Sequence, residues 1–240
     1  MKAVIMQPTY LPWIGYFDLM DQSDVFVFLD DVQFEKQSWQ SRNRIKTLQG
    51  ELWLSVPVVK KFPQLLKDVE INNATAWSKT HFKSIVQNYQ KAAYFKDLIK
   101  DYEMIYETGW SKLAELNIKL IKTIVTRLNL AKKMLFSSEL NCTGNRVGRL
   151  INICKAVGAD TYLSPLGSKG YIDEDNRFEA EGVKLEYQQY TCPQYRQQYG
   201  DFIPFMSTID LLFNEGDRSL QIIRSGREEY RGEDVHNSRK

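Results

Sequence analysis

The sequence predicts an α/β fold with a mainly parallel, Rossmann-like sheet and an additional helical region. Two short apolar runs, residues 3–6 and 25–29, flank a short helical pattern near the N-terminus. A strand, a helix and a second strand in this order imply parallel strands joined by a crossover. The alternation of strand and helix patterns returns after Lys132, where the predicted strands end in segments rich in polar, proline and glycine residues.

The opening unit is the clearest part of this prediction. The run at 3–6 is too short for a helix and stops at a Gln-Pro pair, which suits a buried strand that ends in a turn. Pro12 occupies a position typical of a first helical residue, and Trp13, Phe17 and Met20 share one helical face. Ligands of open α/β sheets bind outside the carboxyl ends of the strands. We therefore expect the segments after both strands to face each other across a ligand-binding edge.

The segment after this unit, residues 33–46, is polar and carries Arg42, Arg44 and Lys46 at alternating positions. In an extended backbone, alternate side chains point the same way. These three residues would therefore form one cationic face.

The middle third changes from strand to helix. Residues 51–59 are typical of a strand, which a proline restricts to a sheet edge, and residues 66–72 of a further short strand. Three helical patterns follow, over about 73–92, 95–106 and 110–128. Leucines and isoleucines form one stripe in the third pattern, as in a helix that faces a core.

The last third returns to alternating elements. Strands are predicted at 134–136, 161–163 and 183–189, and helices at 145–157 and 209–214. These strands extend the parallel sheet, so their exits are expected at the same edge as those of the opening unit.

The domain prediction follows from these elements. We expect a single α/β domain over residues 1–226, with a helical insertion at about 75–128. Ser207 and Asp210 have the spacing of a capping box at the start of the last helix, with Asp in place of Glu. Residues 227–240 are charged and lack an apolar period, so they are predicted to be disordered.

Composition narrows the classes of partner and compartment. A chain of 240 residues with 43% hydrophobic content can bury one substantial core, and its net charge of +2 is too balanced to favour nucleic acid or an anionic membrane as the main partner. No apolar run reaches eighteen residues, so we expect a cytoplasmic protein without membrane insertion. The three cysteines, Cys142, Cys154 and Cys192, include no C-x-x-C pair and predict neither a disulfide frame nor a zinc site.

Asp30 and Asp31 are the leading candidate catalytic residues. They follow the second apolar strand, where a carboxylate can orient a ligand hydroxyl, hold a metal or act as a base. Adjacent side chains of a strand point to opposite sides, so only one of them is expected to face the site. The alternative is a strand end at which both carboxylates are solvated.

Neutral polar and aromatic residues are candidates for substrate binding. Side chains that can hydrogen-bond to ligand hydroxyls, or stack on a ligand ring, occur at several predicted strand exits. These candidates are Gln7, Thr9, Tyr10, Gln33, Tyr171 and Tyr195. The alternatives are a turn that caps the next helix and half-buried loop aromatics.

Basic residues and a glycine-containing turn are candidates for phosphate binding. Guanidinium groups suit phosphate oxygens, and the start of a helix favours anions. These candidates are Arg42, Arg44, Lys46, Arg146, Arg149, Ser164 and Lys169. A solvated basic surface is the alternative for each of them.

His81 and Cys192 are more ambiguous. His81 lies four residues from Trp77 and Ile85 in a helical pattern, so it faces inward, either as a hydrogen-bonded core residue or as a general base. One histidine outside the charged tail does not make a multi-histidine metal site, and no metal is predicted. Cys192 is a weak candidate nucleophile because no activating base is apparent beside it.

The opening loop also has the form of the H-x-G-H signature of nucleotidylyl transferases and class I synthetases. Trp13 and Tyr16 stand where the histidines would be, on either side of Ile14-Gly15. The similarity therefore concerns the fold and not the phosphate-activating chemistry.

Four stretches carry a closer likeness: MQPTYLPWIGYFDLMDQSDVFVFLDDVQFEKQSWQSRNRIKT, WLSVPV, RLINICKAVGADTYLSPLGSKGYI and FIPFMSTIDLLFNEG. They resemble the WbqC-like family from Met1 to about Gly216. Genes of this family occur in clusters for O-antigen and other surface polysaccharides, and a glycine (aminoacyl) transferase role has been suggested for it. The resemblance thus implies acyl or aminoacyl transfer to an amino sugar.

The functional prediction combines the residues with this resemblance. We expect a transferase that acts on a nucleotide-activated amino sugar, with Asp30 or Asp31 and His81 deprotonating the acceptor and the basic residues holding its phosphates. No cofactor is assigned, the acyl or aminoacyl donor is open, and an acyl-carrier protein is a further candidate partner. The alternatives are a nucleotidylyltransferase-like ligase and a non-catalytic module that binds a sugar nucleotide or a carrier protein.

Overall fold

A computed structural model describes residues 1–59, 61, 63–175 and 177–228. The strands are β1 (Lys2–Met6), β2 (Val25–Phe28), β3 (Arg42–Thr47), β4 (Gly50–Ser55), β5 (Lys133–Phe136), β6 (Thr161–Ser164) and β7 (Lys184–Tyr187). The α-helices are α1 (Ile14–Gln22), α2 (Trp77–Tyr89), α3 (Phe95–Glu107), α4 (Leu113–Arg127), α5 (Arg146–Ala156), α6 (Lys169–Asp173), α7 (Arg177–Ala180), α8 (Thr208–Glu215) and α9 (Ser219–Glu228).

Five strands form a parallel sheet in the order β5-β2-β1-β6-β7. Counted along the chain, this is the 3-2-1-4-5 order of doubly wound dinucleotide-binding folds, in which the strand order reverses between the first and fourth strands. The predicted α/β class and mainly parallel sheet are confirmed. The reversal lies between β1 and β6, so the exits of these strands and their neighbours form the ligand-binding edge of such a fold.

The sheet is buried on both faces. Val4 of β1 and Phe26 of β2 pack into a core with α1 to α4, α8 and α9, whereas Ile5 and Val27 pack into a second core with α5 to α7. Strand residues that alternate between two apolar layers are expected of a parallel sheet covered by helices. The strands themselves therefore read as continuous apolar runs.

Three helices, α2 to α4, occupy the predicted insertion. The stripe predicted for α4 is buried in the first core; it comprises Leu113, Leu116, Leu120, Ile121 and Ile124. The short strand predicted at residues 66–72 is wrong. A single 3-10 turn, Leu66–Asp68, stands there instead, because the backbone N–H groups of Lys67 and Ile71 donate to Asp30 and Ser111 and no continuous ladder forms.

Strands β3 and β4 form a separate antiparallel hairpin that pairs Arg44 with Trp53. Gly50 closes its turn with a φ of +103°, a conformation that residues with a Cβ rarely adopt. The extended backbone predicted for Arg42, Arg44 and Lys46 is therefore present.

Tertiary contacts shift two of the predicted helix starts. Pro12 lies outside α1, whose N-cap is Trp13, because the Pro12 carbonyl accepts the Thr208 N–H at 2.8 Å. Ser207 caps α8 by accepting from Ile209 N, whereas the carboxylate of Asp210 does not complete a capping box. It accepts instead from the hydroxyls of Tyr89 and Tyr195.

The C-terminal boundary also differs from the prediction. Helix α9 runs to Glu228, and Arg227 within it forms ion pairs with Asp18 and Asp21 of α1. Disorder was predicted for residues 227–240; residues 227 and 228 lie in α9, and the rest of that range, 229–240, lies outside the described residues. None of the described helices has both the length and the apolar content needed to span a bilayer.

Candidate functional site

The carboxyl ends of β2 and β5 bring two pairs of polar residues together. The register pairs Phe28 with Phe136, so Asp30 and Asp31 of one exit meet Ser137 and Ser138 of the other. The sequence predicted the aspartates but not the serines. Their position directly after a short apolar run, at the exit of a predicted strand, could have indicated them.

Asp30 is buried and its carboxylate has a full set of partners. Oδ1 accepts from the Ser138 backbone N–H at 3.0 Å, and Oδ2 accepts from the Ser138 hydroxyl at 2.7 Å. These bonds satisfy the first donors of the 3-10 turn that follows β5, in the manner of a helix cap. Asp30 thus fixes the β5 exit in place.

Asp31 remains closer to solvent, with 13% of its side chain exposed. Its Oδ1 accepts from the Ser137 hydroxyl at 2.5 Å, and its Oδ2 forms an ion pair with Arg149 of α5. The Ser137 oxygen also lies 3.1 Å from Asp30 Oδ1. A hydroxyl has one proton to donate, so it serves one carboxylate at a time. Of the two aspartates, Asp31 is the more accessible to solvent.

The loop between β5 and α5 presents positive charge beside Asp31. Gly144 and Arg146 have φ values of +101° and +46°, and Arg146 is exposed with no hydrogen bond or ion pair to any residue that the structure describes. Arg149 Nε is buried without a partner among those residues. The pKa of the Cys142 thiol is raised, mainly by burial. The charge of Arg149 opposes this shift and that of Asp31 adds to it, so Cys142 lies close to both residues. The start of α5 adds the positive end of its dipole.

Gln7 borders the aspartates from β1, because Leu29 N–H donates to Met6 O across the β1–β2 pair. Its Oε1 accepts from Gln40 Nε2 at 2.7 Å, and no described residue accepts from its own Nε2. Gln40 is itself held through its Oε1 by the Glu35 N–H. Gln7 therefore presents a pre-oriented amide donor at the edge.

Asn117 supports the same loop by donating to Pro8 O and Gln40 O at 2.9 and 2.8 Å, and its Oδ1 is buried without a described partner.

His81 lies away from this cluster in the interior. Its Nδ1 is 2.8 Å from the Tyr10 hydroxyl, which also contacts the Tyr106 hydroxyl. Burial lowers the pKa of His81 to about 4, against a hydrogen bond to the Ser55 backbone that raises it. A neutral, hydrogen-bonded imidazole surrounded by aromatic rings matches the core alternative left open by the sequence. Tyr10 is likewise fully buried, and burial raises its pKa well above the usual value.

A second interior cluster holds Tyr195 and Lys46. The buried carboxylate of Asp210 accepts from Tyr89 and Tyr195 at 2.8 and 2.9 Å, and burial raises its pKa to about 6. Lys46 is buried nearby and donates to the Asp201 carbonyl. These contacts hold residues 195–201 against α8.

The other predicted phosphate ligands are dispersed. Arg44 is paired with Glu51, Lys169 is paired with Asp173, and Ser164 is fully buried. None of the three forms a hydrogen bond or ion pair with Asp31 or Arg149 within the described ranges.

The remaining substrate-binding candidates differ in exposure. Tyr171 and Gln33 are exposed, and Thr9 is half-buried. A cavity of about 400 Å³ beside β6 and β7 is lined by none of the predicted site residues; Gln22, Leu163, Glu186, Tyr187, Gln189 and Arg227 surround it. Cys192 is half-buried and packs against the first core.

The two aromatic residues at the histidine positions of the H-x-G-H signature serve packing. The Trp13 ring lies over Gly15, where a Cβ would overlap it, and contacts Tyr190 and Phe205 edge-on. The buried Tyr16 hydroxyl donates to the Gln7 carbonyl at 3.3 Å. Neither side chain replaces the chemistry of a histidine.

Comparison with known proteins identifies the family. A model of the WbqC-like protein family matches residues 7–222. This chain belongs to the WbqC-like protein family. A relative from Mycobacterium tuberculosis (strain ATCC 25618 / H37Rv), named "Uncharacterized protein Rv1507c", is 34% identical over 227 residues, which cover 93% of this chain and 97% of that one. No solved structure matches the chain significantly.

Two of the stretches that resembled the family meet in space in this WbqC-like protein. Trp13 forms an antiparallel bridge with Ser207, and the Thr208 hydroxyl and N–H both donate to Pro12 O at 2.8 Å. The N-terminal loop is therefore braced by α8. Within the described part of the chain, no group of three His, Cys, Asp or Glu side chains is placed to hold a metal ion.

Proposed function

We propose that this WbqC-like protein is a cytoplasmic transferase that moves an acyl or aminoacyl group onto the amine of a nucleotide-activated amino sugar in surface-polysaccharide (O-antigen) biosynthesis. The observation that carries the proposal is the cluster of Asp31, Ser137 and Arg149 at the carboxyl edge of a sheet with Rossmann strand order. The pathway is what the resemblance to the family implies, and the cluster is the basis for the proposed chemistry.

The reaction requires an amine that is free to attack. The amine nitrogen forms a bond to the donor carbonyl carbon, the bond from that carbon to the donor sulfur or oxygen breaks, and the proton leaving nitrogen passes to the departing atom. Asp31 accepts a hydrogen bond from the amine and receives the proton first. Ser137 holds Asp31 in position by donating its hydroxyl to Oδ1.

The charged part of the substrate needs a separate anchor. Arg149 lies at the start of α5 beside Asp31, and Arg146, which has no ion pair within the described ranges, adds a second guanidinium. Guanidinium groups bind phosphate oxygens through paired hydrogen bonds. The amide nitrogen of Gln7 is suited to a sugar hydroxyl. His81 has no role in this proposal because it is buried against Tyr10.

A ligand screen followed by a product assay tests the proposal. Amino-sugar nucleotides are expected to raise the melting temperature by mass action, and mass spectrometry with thioester and aminoacyl donors is expected to detect the amide product. Asp31→Asn is expected to lower turnover by about 100-fold or more. Asp101→Asn breaks a comparable Asp–Arg pair, with Arg127, in the helical region. This control variant is expected to keep full turnover.

A non-catalytic binding module is the second candidate. It is favoured by one observation, that Asp30 and Asp31 are already engaged by serines and Arg149. Sugar-nucleotide binding without product from any donor, unchanged in Asp31→Asn, would replace the transferase with this module.

A further inference from the structure

Exposed apolar side chains concentrate around the β3–β4 hairpin. Several of the large apolar side chains that are exposed in the described ranges fall between residues 39 and 65; they are Trp39, Leu48, Leu52, Trp53 and Leu65. The two tryptophans are 49% and 42% exposed. Exposed aromatic side chains that lie together often mark a binding surface.

The two indoles form a short row with an arginine. The ring centroids of Trp39 and Trp53 are 5.4 Å apart with an interplanar angle of 32°. The Arg42 guanidinium lies 4.6 Å from the centre of the Trp53 ring. The Arg44 guanidinium lies farther from the rings, 6.0 Å from the centre of Trp39 and 5.8 Å from that of Trp53. Trp39 is thus the half-exposed end of the row.

The two arginines differ in their remaining capacity. Arg44 donates to both carboxylate oxygens of Glu51. Arg42 makes no hydrogen bond or ion pair with any residue that the structure describes, although it is only partly exposed. Its guanidinium donors are therefore available to an anion, and the ring beneath fixes their position.

The row lies beside the loop of the candidate site. The Tyr10 N–H donates to the Trp39 carbonyl at 3.0 Å, and the neighbouring Gln40 holds the Gln7 amide. A ligand seated on Trp39 can therefore extend toward Gln7 and the carboxyl edge.

We infer that Trp39, Trp53 and Arg42 bind the nucleotide end of the substrate, with the base stacked on Trp39 and a phosphate held by Arg42. The inference rests on the proposed function and names the part of the substrate that the hairpin recognises. Every nucleobase offers a flat π face, and stacking on an exposed aromatic ring is how proteins hold bases without a deep pocket.

A membrane surface fits the hairpin less well. Leu52 and Trp53 are neighbours in one strand, so their side chains point to opposite sides of the hairpin. The exposed apolar groups therefore do not form one continuous layer. The face that holds Trp53 instead combines planar rings with guanidinium groups, which suits a planar anion.

Calorimetric titration with UDP, and with ADP, GDP and CDP in parallel, tests the inference on the full chain. Trp39→Phe keeps a flat ring, whereas Trp39→Leu keeps apolar area without one. We expect Trp39→Leu and Arg42→Gln each to weaken binding of the preferred nucleotide about tenfold or more, and Trp39→Phe to weaken it less than threefold. Phe205→Leu, which changes an exposed aromatic side chain elsewhere, is expected to leave affinity unchanged.

The outcomes separate this inference from the proposed function, because these probes carry no sugar and undergo no transfer. Nucleotide binding that depends on the Trp39 ring supports the inference even if no product is ever found. Equal affinity in Trp39→Leu and the wild type overturns it, as does the failure of all four nucleotides to bind. Binding to vesicles of phosphatidylglycerol and phosphatidylcholine that Trp39→Leu retains, with no nucleotide binding, would assign the hairpin to a membrane instead.

Discussion

The aspartate cluster at the carboxyl edge of the sheet and the cluster around Asp210 of α8 contain similar groups but have different roles. Asp31 at the edge pairs with Ser137 and Arg149 and keeps contact with solvent, whereas Asp210 is fully buried between two tyrosine hydroxyls. The pKa of Asp210 is raised to about 6 by burial. A shifted pKa often marks a functional site, but here it marks an interior support. Access to solvent distinguishes the two clusters better than electrostatic perturbation does.

The largest expected contrast is in stability. Asp210→Ala leaves the hydroxyls of Tyr89 and Tyr195 without their acceptor, so the free energy of unfolding is expected to fall by about 3 to 5 kcal/mol. Asp31→Ala is expected to cost less, about 1 to 2 kcal/mol, because Arg149 is 21% exposed and keeps part of its hydration when its acceptor is removed. Urea unfolding followed by circular dichroism at pH 7 measures both. Equal decreases in the free energy of unfolding would contradict the view that Asp210 supports the interior whereas Asp31 does not.

The next contrast is in pH dependence and concerns His81. Burial holds its pKa at about 4 in the folded chain, against an ordinary value of 6.5. Between these values the unfolded state binds a proton that the folded state does not, so stability is lost as pH falls from about 6.5 to 4. The loss amounts to about 3 kcal/mol.

His81→Gln removes the titrating group that causes this loss of stability. The stability difference between the wild type and His81→Gln is expected to shrink by that amount over the same pH range, in unfolding curves recorded at half-unit steps. Turnover per folded molecule is expected to stay at the wild-type level. A loss of turnover in folded His81→Gln would instead support the role of general base.

The smallest expected effect concerns two glycines. Gly216 ends α8 with a φ of +51°, and a Cβ there would overlap the Tyr94 ring, so Gly216→Ala is expected to cost about 2 kcal/mol. Gly170 lies in α6 after the β6 exit, with nothing within 4 Å of a Cβ. Gly170→Ala is expected to be neutral or slightly stabilising. The melting temperatures of the two variants measure the difference. A larger decrease in Gly170→Ala than in Gly216→Ala would show that Gly170 is packed more tightly than Gly216.

Local patterns predicted the sheet and most helices correctly. Strands β1 and β2, and the buried stripe of α4, follow from apolar runs and spacing within a few residues. The elements that failed depend on distant partners. Residues 66–72 bond to Asp30, Val32 and Ser111, and Asp210 has the spacing of a cap but turns toward tyrosines on α2 and a distant loop.

The candidate site divides in the same way. Asp31 and Arg149 were both predicted, although their pairing, across 118 residues of chain, was not. Ser137 and Gln40 were not predicted. They matter because they hydrogen-bond to Asp31 and Gln7, and these long-range contacts leave no pattern in the sequence. His81 was placed inward correctly by helical spacing, which cannot show that Tyr10 seals it from solvent.

The bond between Pro12 and Thr208 joins residues that are 196 positions apart. Contacts of such high sequence separation form late, because the loop they close must first be ordered. During synthesis, the N-terminal strand emerges long before the helix that braces its exit loop. The loop can be braced only after residue 208 has left the ribosome, so a polypeptide released earlier would contain the strands of the sheet but lack the contact that holds this loop.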